Sequence, residues 1–243
     1  MKKIILISLL SFFTLTTFSQ KRIFSKDQII SREHSTSFIE NVDFSKIYNK
    51  QTGKIIPEKE FFKLIEKNPH LPLEKEIGID GKVTRYLVDL TITNSEMTNV
   101  VVNRKKVEKG ELFPNFIMTT IDNKKIELDK LKGKIVILRF EMEANTFRFQ
   151  KQQIIDLDNK INQLKNHKNQ IESIIIFLSP LSEVKQGFDL KNSNFNVVAN
   201  GRNFRDKFSI TSFPTTLVID KNGFLLDYFN RSEDIDFKQM ISE

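Results

Sequence analysis

The sequence predicts an α/β fold in which a mixed central sheet is covered by helices and preceded by a small α+β module. Two continuous apolar runs, at residues 135–138 and 173–178, are typical of strands buried on both faces, and an amphipathic helix is predicted between them. Residues 215–219 and 224–229 flank a glycine-containing turn and indicate an antiparallel hairpin. A chain of 243 residues with 22 Phe can fill the core that such a fold requires.

The first nineteen residues have the order of a secretory signal peptide. Lys2 and Lys3 precede an apolar stretch, residues 4–13, that is too short to span a bilayer comfortably, and small residues surround a cleavage site after Ser19. An uncleaved membrane anchor is the alternative interpretation. No later segment is apolar enough to span a membrane, so we expect an exported protein of the periplasm, the cell envelope or the extracellular space, with no transmembrane segment after cleavage.

The charges are spread along the chain, with 38 Lys and Arg against 31 Asp and Glu and a formal net charge of +7. A nucleic-acid-binding protein concentrates its basic residues in a patch or recognition motif, and the nearest candidate is the short run at residues 103–106. Such a run is usually a solvated loop, so we expect no nucleic-acid partner. The chain contains no cysteine, which excludes both disulfides and cysteine thiol chemistry.

Residues 20–107 are predicted to hold a polar, irregular lead-in, up to about residue 50, and a small accessory module. Residues 57–69 have a proline in the first turn, acidic residues near the start, apolar residues at helical spacing and Asn-Pro at the end, which predicts a short helix. Asp80 and Gly81 lie between arms of alternating apolar residues and predict a hairpin.

Residues 108–243 contain the elements of the central sheet. Strands joined by a helix, as at 135–138 and 173–178, form a parallel pair, and residues 196–199 predict an edge strand. Residues 233–242 predict a closing helix with Ser232 as its N-cap.

Four segments of this region, in this order and spacing, resemble the thioredoxin fold. The resemblance is to exported thiol-disulfide oxidoreductases and to the broader redoxin group that includes peroxiredoxins, and it covers residues 110–243. The segments are Phe113-Pro114-Asn115-Phe116, residues 131–140, Ser212-Phe213-Pro214-Thr215-Thr216, and Ile219-Asp220-Lys221-Asn222-Gly223. The resemblance implies a thioredoxin-like fold for residues 108–243.

The redox motif of that family is absent from this chain. In the family, the strand equivalent to residues 135–140 leads into a Cys-x-x-Cys loop at the start of the long helix. An ungapped comparison places the two cysteine positions on Asn145 and Arg148, and the acidic residue that follows them on Lys151. We therefore expect a degenerate member, in which Asn145 caps the helix and Arg148 either is solvated or binds an anion or a carboxylate.

The resemblance also places Pro214 at a proline that is usually cis in the family. In active members, the backbone before this proline pairs with an extended substrate peptide, and that backbone edge can survive the loss of the cysteines. We therefore predict a groove that holds a protein or peptide partner and has no catalytic residue, metal or cofactor. Its predicted residues are Asn145, Thr146, Arg148, Phe213 and Pro214.

Three other functions stay open at this point. The resemblance alone suggests a thiol-disulfide oxidoreductase or peroxidase, although this activity needs a nucleophile that the chain lacks. An enzyme of unrelated activity, built on Glu141, Glu143 and Arg148, would need strongly perturbed carboxylate pKa values. In the third alternative, the accessory module, residues 40–107, performs the function. The three histidines, His34, His70 and His167, lack the spacing of metal ligands.

Overall fold

A computed structural model describes most of the chain as two compact units, Met1–Phe44 and Ser45–Glu243. The described residues are 28–33, 36–68, 71–92, 105–144, 149–164, 166–190 and 192–242. The predicted signal peptide, residues 1–19, lies outside them, as do His34 and His70. Within the described ranges, every helix is too short or too polar to cross a lipid bilayer.

The first unit contains a β-hairpin where the sequence predicts an irregular lead-in. Strands β1 (Gln28–Glu33) and β2 (Thr36–Asn41) pair in antiparallel fashion, with Ile30 opposite Ile39. The prediction fails because each strand carries two apolar residues side by side, so that the alternation that marks a half-buried strand is missing. The ladder depends on backbone hydrogen bonds and does not need that alternation.

The accessory module is a three-stranded sheet with one helix. Strand β5 is central, pairing in parallel with β3 and in antiparallel fashion with β4. Phe61 and Ile65 form the buried face of α1. The predicted helix and the predicted hairpin around Gly81 are both confirmed. The elements are β3 (Ile47–Asn49), α1 (Glu58–Lys67), β4 (Leu73–Ile77) and β5 (Val83–Val88).

The central sheet has five strands in the order β10-β9-β8-β11-β12. Strand β9 is parallel to both of its neighbours, whereas β11 is antiparallel to β8 and β12. This mixed, thioredoxin-like arrangement confirms the predicted fold class, with β10 at an edge as expected. The strands are β8 (Ile135–Glu141), β9 (Ile171–Phe177), β10 (Phe195–Val198), β11 (Thr215–Ile219) and β12 (Leu225–Phe229).

The remaining elements cover this sheet or lie beside it. A short hairpin precedes β8 and lies next to β10, where the Ile121 N–H donates to the Val197 carbonyl at 2.8 Å. The hairpin strands are β6 (Ile117–Thr119) and β7 (Lys125–Glu127). The helices are α2 (Lys151–Asn162), α3 (His167–Gln170), α4 (Leu181–Gly187), α5 (Arg202–Lys207) and α6 (Phe237–Ser242).

The closing helix starts four residues later than predicted, and Ser232 is not its cap. Asp236 takes that role, since its Oδ1 accepts the backbone N–H of Lys238 at 3.0 Å and of Gln239 at 3.3 Å. The Ser232 hydroxyl is buried and has no hydrogen-bond partner among the described residues.

Strand β8 separates two hydrophobic cores. Ile135 and Ile137 belong to the core that contains Leu157 of α2, whereas Leu138 and Phe140 belong to a core with several phenylalanines, including Phe208. Because both faces of this strand are buried, its sequence is continuously apolar up to Arg139.

The tip of the accessory hairpin packs on α5 and β6. The Ile117 N–H donates to the Ile79 carbonyl at 2.7 Å, and the Asn203 Nδ2 donates to the Gly81 carbonyl at 2.8 Å. Lys75 of β4 forms an ion pair of 3.7 Å with the buried Asp206. The accessory module is therefore part of the same compact unit as the central sheet, and the boundary at residues 107–108 stays a prediction.

Candidate functional site

Two of the five residues of the predicted groove, Phe213 and Pro214, lie at the end of the sheet where β8 finishes and β11 begins. Asn145, Thr146 and Arg148 lie outside the described residues. The N-cap position of α2 is Gln150, so the predicted cap at Asn145 is wrong. Phe213 and Pro214 are described, and both are partly buried just before β11. Thr215, the first residue of β11, pairs with Phe140 near the end of β8, which holds the two segments side by side.

The loop before β11 has a defined geometry. The peptide bond between Phe213 and Pro214 is cis, as the resemblance implies. The Thr215 hydroxyl donates to the Ser212 carbonyl at 2.7 Å and lies 3.1 Å from the Ser212 Oγ. Phe213 packs against the core that contains Phe208 and is partly buried.

Part of the backbone of this loop has no hydrogen-bond partner in the described ranges of the chain. Thr211 and Ser212 are exposed, and among the described residues no backbone hydrogen bond reaches the N–H or C=O of Phe213. Backbone groups of this kind are the part of a sheet edge with which an extended peptide pairs.

A buried ion pair lies at the carboxyl end of β8. The Nε of Arg139 donates to the Glu141 carboxylate at 2.8 Å, and neither side chain is more than 3% exposed. Two further donors of the guanidinium reach the Thr216 hydroxyl at 3.0 Å and the Gln153 side-chain oxygen at 2.9 Å. Arg139 thereby joins strand β8 to strand β11 and to the first turn of α2.

The opposite charges of Arg139 and Glu141 compensate each other inside the protein. Burial raises the pKa of the Glu141 carboxyl and lowers that of the Arg139 guanidinium, whereas their mutual attraction opposes both shifts. Since arginine keeps its proton in proteins, the carboxylate remains ionised beside it. With its partner in place, Glu141 is a poor candidate for a proton-transferring group.

Glu141 and Glu143, which the sequence suggested as an acid/base pair, have different surroundings. Glu141 is the last residue of β8 and is buried, whereas Glu143 follows the strand and is exposed. The alternation that would bring them to one face ends with the strand. Across the described residues, no cluster of His, Asp and Glu could hold a metal ion.

Arg139 is the residue that the sequence reasoning missed. Its signal is a lone basic residue inside an apolar run that is expected to be buried on both faces, because a buried arginine needs a partner. Glu141, two residues later on the same face of the strand, is that partner.

The described part of the basic run at residues 103–106 has partners within the protein. The Lys105 ammonium forms an ion pair with Glu111 at 2.8 Å, and the Lys106 ammonium lies 3.7 Å from the centre of the Tyr228 ring. These two lysines therefore fasten their segment to the folded unit.

Comparison with known proteins relates the second half of the chain to redox proteins. Residues 109–227 match the model of the AhpC/TSA family. The thiol-disulfide oxidoreductase ResA of Bacillus subtilis (strain 168) is 26% identical over 132 residues, which make up 51% of this chain and 68% of that protein.

Solved structures of thiol-disulfide proteins are also similar to about half of this chain. The thioredoxin domain of a thiol-disulfide oxidoreductase from Bacteroides vulgatus is 16% identical and has a TM-score of 0.45, covering 53% of this chain and 93% of that one. The exposed lipoprotein thioredoxin of Streptococcus pneumoniae is 20% identical, with a TM-score of 0.41 and coverage of 53% and 96%.

Proposed function

Because the chain is a thioredoxin-like redoxin without the Cys-x-x-Cys motif, we propose that it is an exported, non-catalytic module that binds a protein or peptide. One observation carries this proposal: the chain has no cysteine, yet within the described part of the chain the backbone N–H and C=O of Phe213, before Pro214, have no backbone hydrogen-bond partner. The proposed groove consists of Asn145, Thr146, Arg148, Phe213 and Pro214.

The chemistry of the motif argues against turnover. Disulfide exchange and thiol-dependent peroxide reduction both begin with attack by a thiolate, and no residue of this chain can supply one. We therefore do not propose the thiol-disulfide oxidoreductase activity of ResA for this protein. The proposed recognition surface is the N–H and C=O of Phe213 for the backbone of an extended peptide, and the partly buried Phe213 residue itself for an apolar side chain.

Export is proposed from the first nineteen residues alone, which have the charge and hydropathy pattern of a signal peptide. Fractionation of the producing cells, followed by mass spectrometry of the mature N-terminus, tests this part. A protein that remains in the cytoplasm with Met1 and Lys2 intact would overturn it.

The binding proposal is tested by capture on the tagged chain from envelope and culture-medium proteins of the producing cell. Phe213→Glu adds a charge beside the open backbone, and Phe224→Glu is the matched control because Phe224 is 42% exposed at the other end of β11. We expect a partner that the parent and Phe224→Glu retain and Phe213→Glu loses. Near-ultraviolet circular dichroism checks that each variant is folded.

Other outcomes distinguish the alternatives. Reduction of insulin disulfides or of peroxide above the reagent background would overturn the non-catalytic proposal. Loss of the partner with Ile55→Glu, while Phe213→Glu retains it, would transfer the function to the accessory module, since Ile55 is 56% exposed beside β3. If all three variants retain the partner equally, the proposal that the groove binds it is refuted.

A further inference from the structure

A second cleft, with a volume of about 320 Å³, lies where the accessory hairpin meets the edge of the central sheet. Its walls are the tip of the β4–β5 hairpin, the turn between β6 and β7, and the end of β10, with Leu181 and Phe204 completing it. The cleft therefore exists only when the accessory module is in place. None of its residues belongs to the predicted groove.

The lining of this cleft combines apolar contact surface with one charge. Among the lining residues, Leu181 is 40% exposed and Phe204 is buried, and Thr119 and Asn200 are polar. Asp80 is the one charged residue among those that line it. A ligand that matches these walls has an apolar stem and a positively charged end.

The Asp80 carboxylate is held in position and remains ionised. Its Oδ1 accepts the backbone N–H of Lys82 at 3.1 Å, and this hydrogen bond lowers the pKa of Asp80. The hairpin tip around it is fastened by the hydrogen bonds from Ile117 and Asn203 to its carbonyls. A pre-organised carboxylate of this kind loses little conformational entropy on binding.

We propose that this cleft binds a lysine or arginine side chain of a peptide or protein partner. The aliphatic stem lies against Leu181 and Phe204, as long basic side chains commonly cover apolar surface, and the cation pairs with the Asp80 carboxylate. This site is independent of the groove at Phe213, so either can exist without the other.

The protein itself supplies a competitor for the carboxylate. The Lys82 ammonium lies 3.3 Å from the Asp80 Oδ2, on a side chain that is 84% exposed. Exposed ion pairs contribute little free energy, so a cation that also gains apolar contact can displace Lys82. The consequence is specific: removing the Lys82 charge should strengthen binding.

The test uses the full ¹⁵N-labelled chain and three blocked tripeptides with lysine, norleucine or glutamate at the centre. We expect saturable shifts of the Gly81, Asn123 and Asn200 amides with the lysine peptide at millimolar concentration, and at least fivefold weaker binding of the norleucine peptide. High salt should weaken the binding of the lysine peptide but not that of the norleucine peptide. No saturable shift, or equal binding of the glutamate peptide, would overturn the proposal.

Matched variants assign the effect to Asp80. Asp80→Asn keeps the oxygen that accepts the Lys82 N–H and should weaken the lysine peptide at least fivefold, whereas Asp122→Asn, in the exposed β6–β7 turn outside the cleft, should not. Lys82→Gln should strengthen binding about twofold. Unchanged affinity in Asp80→Asn would refute the site even if the groove at Phe213 binds its partner.

Discussion

The Arg139 guanidinium donates to the Glu141 carboxylate at 2.8 Å, inside a sheet where both side chains are shielded from water. The guanidinium also donates to Thr216 and Gln153, so its hydrogen bonds join strand β8 to strand β11 and helix α2. Removing one partner of such a buried ion pair is destabilising mainly because the other charge is then left unpaired in a low-dielectric interior.

Removing the arginine should therefore be costly. Arg139→Met keeps the length and apolar character of the side chain and leaves Glu141 buried without its partner. We expect the free energy of unfolding to fall by about 3 to 5 kcal/mol. Urea unfolding at neutral pH, followed by circular dichroism, measures this.

The control is the double variant Arg139→Met/Glu141→Leu, which should recover most of the loss because no charge remains. In the single variant, the folded-state pKa of Glu141 lies further above its unfolded value, so stability is highest below the unfolded pKa and is lost as pH rises through the folded one. A single variant as stable at pH 8 as at pH 5 would contradict this account.

The contact of the accessory hairpin with Phe204 depends on Gly81. Gly81 has a φ of +76°, and a Cβ there would lie 2.8 Å from the Phe204 ring. Gly81→Ala should lift the hairpin tip, so that hydrogen exchange at the Ile117 amide becomes faster because its acceptor, the Ile79 carbonyl, moves away.

Gly53→Ala is the matched control for backbone strain. Gly53 has a φ of +66° and nothing within 4 Å of the added Cβ, so this variant imposes a similar strain without the clash. Equal protection of the Ile117 amide in both variants would show that Phe204 does not set the position of the hairpin.

Tyr228 should ionise later than an ordinary tyrosine. Burial raises its pKa to about 12, and its hydroxyl donates to the Val107 carbonyl at 2.9 Å. Since the folded pKa exceeds the unfolded value of 10.0, this group's contribution to stability is complete below pH 10 and is lost as pH rises towards 12.

An ultraviolet titration of tyrosinate absorbance should show this late step, and Tyr228→Phe should lack it. The same substitution should flatten the alkaline decline in stability. A titration curve that Tyr228→Phe leaves unchanged would refute the assignment.

Lys160 holds the segment before the closing helix. Its ammonium donates to the carbonyls of Ser232, Glu233 and Ile235 at 2.8, 3.0 and 2.9 Å. Lys160→Met should lower the free energy of unfolding by about 1 to 3 kcal/mol, because three carbonyls lose a charged donor and two of these hydrogen bonds are partly buried. Urea unfolding measures the loss, and Lys238→Met, on the exposed side of α6, should be close to neutral.

The same lysine explains why the closing helix starts later than the sequence predicts. Ser232 and Asp236 are equally good N-caps by residue type, so local preference does not choose between them. The bonds from Lys160, which lies more than seventy residues away in sequence, hold the carbonyls of Ser232, Glu233 and Ile235 outside the helix. Asp236 caps the helix instead.

The central sheet could be predicted because each of its strands carries a signal in its own local sequence. Strands β8 and β9 are buried on both faces, so apolar residues follow one another, and β11 and β12 are joined by a turn whose Asp220 accepts the N–H of Asn222 and of Phe224. The hairpin of β1 and β2 has no such local mark.

The sequence by itself determined that this protein cannot use a thiol, because the absence of cysteine holds in any fold. It also indicated the thioredoxin-like sheet through the periodicity of single strands. Only the tertiary structure decided that Arg139 pairs with Glu141 and that Asp80 and the end of β10 line the same cleft. Asp80 and Asn200 come together through docking of one module on another, and no local pattern of residues records such a long-range contact.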